Sequence, residues 1–141
     1  MIPRRCLFSF LFLAILAAGC DDRSTTGPSS SSEPGFTITE LRIGTGAEAA
    51  TGTTATITFT MWVFDEAAFQ GKGPQADSGS LTFSVGTGEV IQGLSVGVRG
   101  MKVGGARRLL VPSRLAFGER GTTGVPANSP VVFDVELISV Q

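Results

Sequence analysis

The chain contains no histidine and no tyrosine. Without histidine, a Ser-His-Asp or Cys-His nucleophile system is excluded, along with the commonest zinc-binding sets. Without tyrosine, no phenol can serve as acid, base or hydrogen-bond handle. An excess of either charge sign is missing too. Eleven Lys and Arg stand against twelve Asp and Glu in 141 residues, a formal charge of −1. That leaves no electrostatic footprint for nucleic acid, and none is expected as a partner. No metal or cofactor is expected either: Gly86-Thr87-Gly88 has the look of a phosphate loop, but Ile91 stands where a third glycine is needed and no P-loop lysine follows. What is abundant is glycine, with 19 residues, and there are seven prolines. These favour strands and turns over a helical bundle, and the length suits one domain. Any activity must rest on apolar surface and backbone.

Cysteine is nearly absent, and both copies sit at the N-terminal end. Arg4 and Arg5 precede an apolar run from Cys6 to Ala18. A basic start, a short apolar run and small residues after it make a secretory signal over residues 1–19, too short for the roughly 20 residues of a membrane-spanning helix. Leu16-Ala17-Ala18-Gly19-Cys20 resembles a bacterial lipobox, with Ala17 where leucine is commoner. Cys6 falls in the segment to be removed, so Cys20 is left alone, as expected of an acylation site rather than a disulfide partner. Residues 20–35 are then the lipidated cysteine and a serine-rich tether that cannot bury surface, with a reach of at most about 46 Å from Asp21 to Pro34. The expected product is an exported lipoprotein on the periplasmic face, anchored to the inner or outer membrane.

From Phe36 to Gln141 the hydrophobic period is that of strands. Ala55, Ile57, Phe59, Met61 and Val63 alternate with Thr54, Thr56, Thr58, Thr60 and Trp62, and Val131, Phe133, Val135 and Leu137 alternate with Val132, Asp134, Glu136 and Ile138. Phe36 to Ile43, Leu81 to Val85 and Arg107 to Val111 are shorter strand candidates. Between them Val90, Ile91, Leu94 and Val98 fall on one face of a helix, expected over Glu89 to Val98, with Gly100 at its stop. Gly93 and Gly97 lower its propensity by roughly 1 kcal/mol each, which makes sense if the helix back approaches a sheet closely. Arg107-Arg108 reads as a basic pair on a solvated strand face. The expected fold class is α+β, one short helix packed on an antiparallel sheet.

A more specific signal runs from Phe83 toward the C-terminus. Phe83-Ser-Val-Gly86, Glu89-Val90-Ile91-Gln-Gly93, Gly100-Met101-Lys-Val-Gly104-Gly105, Val111-Pro112, Leu115-Ala116-Phe117-Gly118, Val125-Pro126 and Phe133-Asp134-Val135-Glu136-Leu137 follow in order. Together these resemble an FKBP-type peptidyl-prolyl isomerase domain. Upstream, Phe59 to Asp65 and Gly71 to Ser78 are similar to bacterial members with an expanded loop, and the loop after Ser78 is shortened.

The resemblance implies a sheet of five or six antiparallel strands wrapped around one helix, a monomer, and a pocket that takes the proline ring of X-Pro segments in exported polypeptides. Carried over by position, Asp77, Ile91 and Phe117 would be the catalytic residues. Phe59, Phe83, Val90, Leu94, Val125 and Phe133 would line the substrate pocket. Ile91 would open the helix, where backbone N–H groups lack partners, and offer its amide to a substrate carbonyl. Departures are marked: Leu94 stands for a usual tryptophan, Phe117 and Phe59 for usual tyrosines, and Ala76 and Leu81 where aromatics are commoner. The expected activity is prolyl cis–trans isomerisation. The alternative is a weakly catalytic or non-catalytic module, binding or chaperoning proline segments on the same fold.

Overall fold

Threonine and β-branched residues in strict alternation favour extended chain, and a computed structural model, which describes residues 33–141, shows five strands. The expected signal (1–19), Cys20 and tether residues 21–32 lie outside the described residues. In chain order the strands are β1 (Thr37–Arg42), β2 (Thr54–Phe64), β3 (Lys72–Ser84), β4 (Ala106–Val111) and β5 (Val131–Val140). They form one antiparallel sheet in the order β1-β4-β5-β2-β3. One helix, α1 (Gln92–Val98), packs on it.

The alternation sets the inner face. Ala55, Ile57 and Met61 of β2 and Val131, Phe133, Val135 and Leu137 of β5 are all buried, and meet Phe83, Val85, Leu94, Val98, Leu109 and Val111 in the core. A Cβ on Gly93 would lie 2.3 Å from a methyl of Val111, and one on Gly97 2.3 Å from a methyl of Leu109. The two glycines thus let α1 sit directly on β4, the close approach their positions implied.

Three expectations need correction. The helix begins at Gln92, not Glu89, because Ile91 is extended (φ −54°, ψ 145°) and the turns before it use Gly86 and Gly88 at φ +84° and +82°. The third strand is much longer than Leu81–Val85 and takes in the whole stretch read as a loop. Its small polar residues pair across with threonines of β2, Thr60 with Ser78, Thr58 with Ser80, and Thr56 with Thr82, whose hydroxyls are 3.0 Å apart. Pro74 is tolerated because β3 is an edge strand.

Arg107-Arg108, finally, is no solvated face. Arg107 donates to the carbonyls of Gly97 (3.0 Å) and Arg99 (2.8 Å), capping the end of α1, and pairs with Glu40 of β1. Arg108, on the opposite face, forms a forked pair with Asp134 (2.7 and 2.9 Å), which Lys72 also reaches at 2.6 Å. Lys72 stands 4.0 Å over the Trp62 ring. Burial pushes the Asp134 carboxyl up, but the bonds from Arg108 and Lys72 outweigh it and hold the group below its ordinary range. The Arg108 guanidinium is raised by its bond to Asp134.

The end of the segment expected to bury no surface is instead held: the Ser113 N–H donates to Glu33, which pairs with Arg114, and both Glu33 and Pro34 are half-buried. No helix among the described residues is long and apolar enough to cross a membrane.

Candidate functional site

Where the sheet curls past the start of α1, inward side chains leave a gap instead of closing it. The result is a cavity of about 290 Å³. Its floor and walls come from β2, β5, α1 and, through Leu81, β3. Phe59 and Met61 project from β2, two residues apart and so on one face; Phe133 comes from β5, and Leu94 from α1. The Phe59 and Phe133 rings lie 6.0 Å apart, tilted by 56°. Val90 and Ile91 form one lip, and Phe117, after the 3₁₀ turn Ser113–Leu115, forms another.

The Phe117 loop is fixed by its own backbone. Gly118 N–H donates to the Ser113 carbonyl, Asn128 N–H to the Gly118 carbonyl, and Thr122 and Val125 exchange bonds of 3.0 and 2.9 Å. Gly124 lies against Ala76 of β3, so the loop is braced on the far edge of the sheet.

Seven of the nine residues assigned from the sequence therefore come together: Phe59, Asp77, Val90, Ile91, Leu94, Phe117 and Phe133. Phe83 and Val125 do not line the cavity. Both are buried in the core, 2% and 3% exposed; Phe83 sits deeper along β3 than Leu81, and Val125 anchors the loop that carries Phe117. Three lining residues were not assigned: Met61, Leu81 and Glu89. Met61 and Leu81 were legible from alternation, lying two residues from Phe59 and four from Asp77 on the same faces. Glu89 was not, because its direction depends on a turn: its carboxylate folds back to accept the Ser84 N–H at 2.9 Å.

Asp77 is a strand residue opposite Met61 rather than a loop residue. It is exposed, and its carboxylate accepts the N–H of Ser78 at 2.8 Å. At Ile91 the chain turns from extended to helical; its carbonyl accepts from Leu94 and Ser95, while its N–H meets no acceptor among the described residues. The site thus offers a mostly apolar box, backbone N–H groups without acceptors at the start of α1, that of Ile91 among them, and carboxylates at the rim. Among the described residues no group of His, Cys, Asp and Glu could hold a metal ion.

Such a box suits a ring-shaped apolar group carrying an adjacent carbonyl, and the comparisons with known proteins agree. The family described as FKBP-type peptidyl-prolyl cis-trans isomerase matches residues 46–138. FK506-binding protein 4 of Emericella nidulans is 37% identical over 107 residues, covering 76% of this chain and 22% of that protein. The chain thus spans about a fifth of the length of this curated relative. The crystal structure of FkpA from Escherichia coli superposes with a TM-score of 0.64 at 29% identity, covering 76% of this chain and 48% of that one. AtFKBP13 gives a TM-score of 0.63 at 30% identity, with 77% and 96% covered. With the family model matching residues 46–138, about two thirds of its length, the chain belongs to the FKBP-type peptidyl-prolyl cis-trans isomerase family.

Proposed function

We propose that the domain isomerises X-Pro bonds in exported polypeptides, binding the proline ring in the cavity walled by Phe59, Leu94, Phe117 and Phe133. Rotation about an X-Pro bond meets a barrier of about 18–20 kcal/mol and takes tens of seconds unassisted. It breaks no bond and moves no proton. The enzyme needs only to bind the twisted amide better than the planar one. The planar amide is more polar and better hydrated, so an apolar cavity raises its free energy relative to the twisted form. The carbonyl that turns must keep a donor, and the Ile91 N–H is free to serve. The observation that carries this reading is the pairing of that amide with a cavity whose deep walls are apolar.

A second reading rests on what the walls lack. Phe59 and Phe117 bring no hydroxyl, and Leu94 fills less space than an indole, so the same cavity supports binding of proline segments with little turnover. The test is NMR exchange on a Leu-Pro peptide with catalytic amounts of the chain. Acceleration well above the uncatalysed rate supports the enzyme. Peptide binding without acceleration, in wild type and in a Leu94→Trp, Phe117→Tyr variant alike, favours the module.

We further propose that the chain is lipidated at Cys20 and held at the periplasmic face of a membrane, acting there as a monomer. The basic start, apolar run and small residues before Cys20 support this. Cys20→Ser should move the protein from the membrane to the soluble fraction; unchanged fractionation would refute it.

A further inference from the structure

The turn that leads to Phe117 is capped from far away in the chain. Pro112 precedes the 3₁₀ turn Ser113–Leu115 and offers no side-chain acceptor, so the first N–H of the turn, that of Ser113, needs a partner from elsewhere. Ser113 is buried, where an unpartnered N–H is costly. Glu33, 80 residues earlier, accepts it through Oε1. The other carboxylate oxygen stands 3.8 Å from Nη1 of the exposed Arg114, so the bond to Ser113 is the firmer of the two. Pro34 is half-buried and Phe36 packs on the core, which holds this strap against the domain. From Ser113 the order passes to the cavity. Its carbonyl accepts the N–H of Ala116 at 3.0 Å and of Gly118 at 2.9 Å, the residues on either side of Phe117. One residue thus meets Glu33 through its N–H and brackets a cavity wall through its carbonyl. Glu33 itself does not line the cavity.

We propose that Glu33 is a positioning residue for the site: by capping the Ser113 turn it fixes Phe117 as a wall of the cavity. This rests on the cavity being the proline site. The functional unit then begins at Glu33 rather than at Phe36. Phe117 walls the ring whether the amide is planar or twisted, so loosening it weakens both states alike and raises KM with kcat unchanged. A merely structural role would do the reverse. Unfolded molecules turn nothing over, so lost stability lowers the apparent kcat and leaves KM alone.

The experiment compares the full chain with Glu33→Ala, Glu33→Gln, Ser113→Pro and the Glu33→Ala, Ser113→Pro double variant. NMR titration with one Leu-Pro peptide gives Kd, and exchange spectroscopy on the same samples gives KM and kcat. Glu33→Ala should raise KM and Kd about fivefold, the size of one net hydrogen bond. Glu33→Gln keeps an acceptor oxygen and should recover most of that loss. Proline suits the first position of a helical turn and has no N–H to satisfy, so in the Ser113→Pro background the alanine substitution should weaken binding no further. Four results would each overturn the role of Glu33 while leaving the isomerase intact. They are unchanged KM and Kd in Glu33→Ala, a fall in kcat alone, a glutamine variant as weak as alanine, and a full fivefold effect in the Ser113→Pro background. A Kd raised as expected, with no acceleration by the wild type, would uphold Glu33 and overturn catalysis. Failure of the wild type to bind the peptide would overturn both.

Discussion

Single residues decide how tightly the site is framed. Gly97 is the sharpest case, since alanine there would gain roughly 1 kcal/mol of helix propensity. Its new methyl would however stand 2.3 Å from one Leu109 methyl and 2.6 Å from the other, with Leu109 fully buried. Overpacking of this kind typically costs about 1–3 kcal/mol, so packing outweighs propensity. Gly97→Ala should therefore lower the chemical-denaturation midpoint; a raised midpoint would show that Leu109 moves freely. The role of Gly97 was legible from its place in an otherwise apolar helical face. Glu89 was not, because nothing in a sequence says which way a turn residue points. Phe83 and Val125 show the converse limit: position in a motif names a neighbourhood, but burial depth separates a lining residue from one behind it.

Among the elements, those with a strong internal period were readable and those built by pairing were not. Strands β2 and β5 follow from alternation, and the buried values of their inward residues agree. Strand β3 carries Pro74, Gly79 and three serines in its thirteen residues, so its own propensity points to loop. It is extended because β2 supplies a full ladder, with register shifts near Trp62 absorbing the mismatch. The start of α1 was misplaced for a related reason. Val90 and Ile91 fit the helical face by spacing, yet Glu89 binds back to Ser84 and holds the chain extended. The Ile91 amide lacks an intrahelical acceptor with either start, because the first N–H groups of any helix do; the later start changes the backbone at Ile91, which is extended.

The pairing of β3, β4 and β5 through Lys72, Arg108 and Asp134 has a consequence for acid stability. The folded-state value of Asp134 lies below that of an unfolded aspartate, about 3.9. Its contribution is therefore complete above about pH 4 and is lost as pH falls through the folded value. Asp134→Asn should lower stability at pH 7 and flatten the fall in stability below pH 4, measured by thermal unfolding across pH. An equally steep acid limb in the variant would place the acid sensitivity elsewhere.

At the scale of the molecule, a chain without histidine or tyrosine builds its site from aromatic and aliphatic walls on a sheet and the unpartnered backbone donors of a helix start. The family was legible because its motifs fall in order from Phe83 to Leu137, the stretch that forms α1, the Phe117 loop and β5. The segment expected as a tether was read from composition alone, which did not reveal that Glu33 binds Ser113 and Arg114. If the site works by binding a twisted amide, no proton is transferred, and rate should not follow any titration near neutrality. Carboxylic acids ordinarily titrate near 4, and histidine, which titrates near neutrality, is absent. The decisive measurement is kcat/KM for one Leu-Pro peptide by NMR exchange from about pH 6 to 9. A catalysed rate that stays flat across this range is the predicted result; a bell-shaped profile, or a step of tenfold or more, would contradict it.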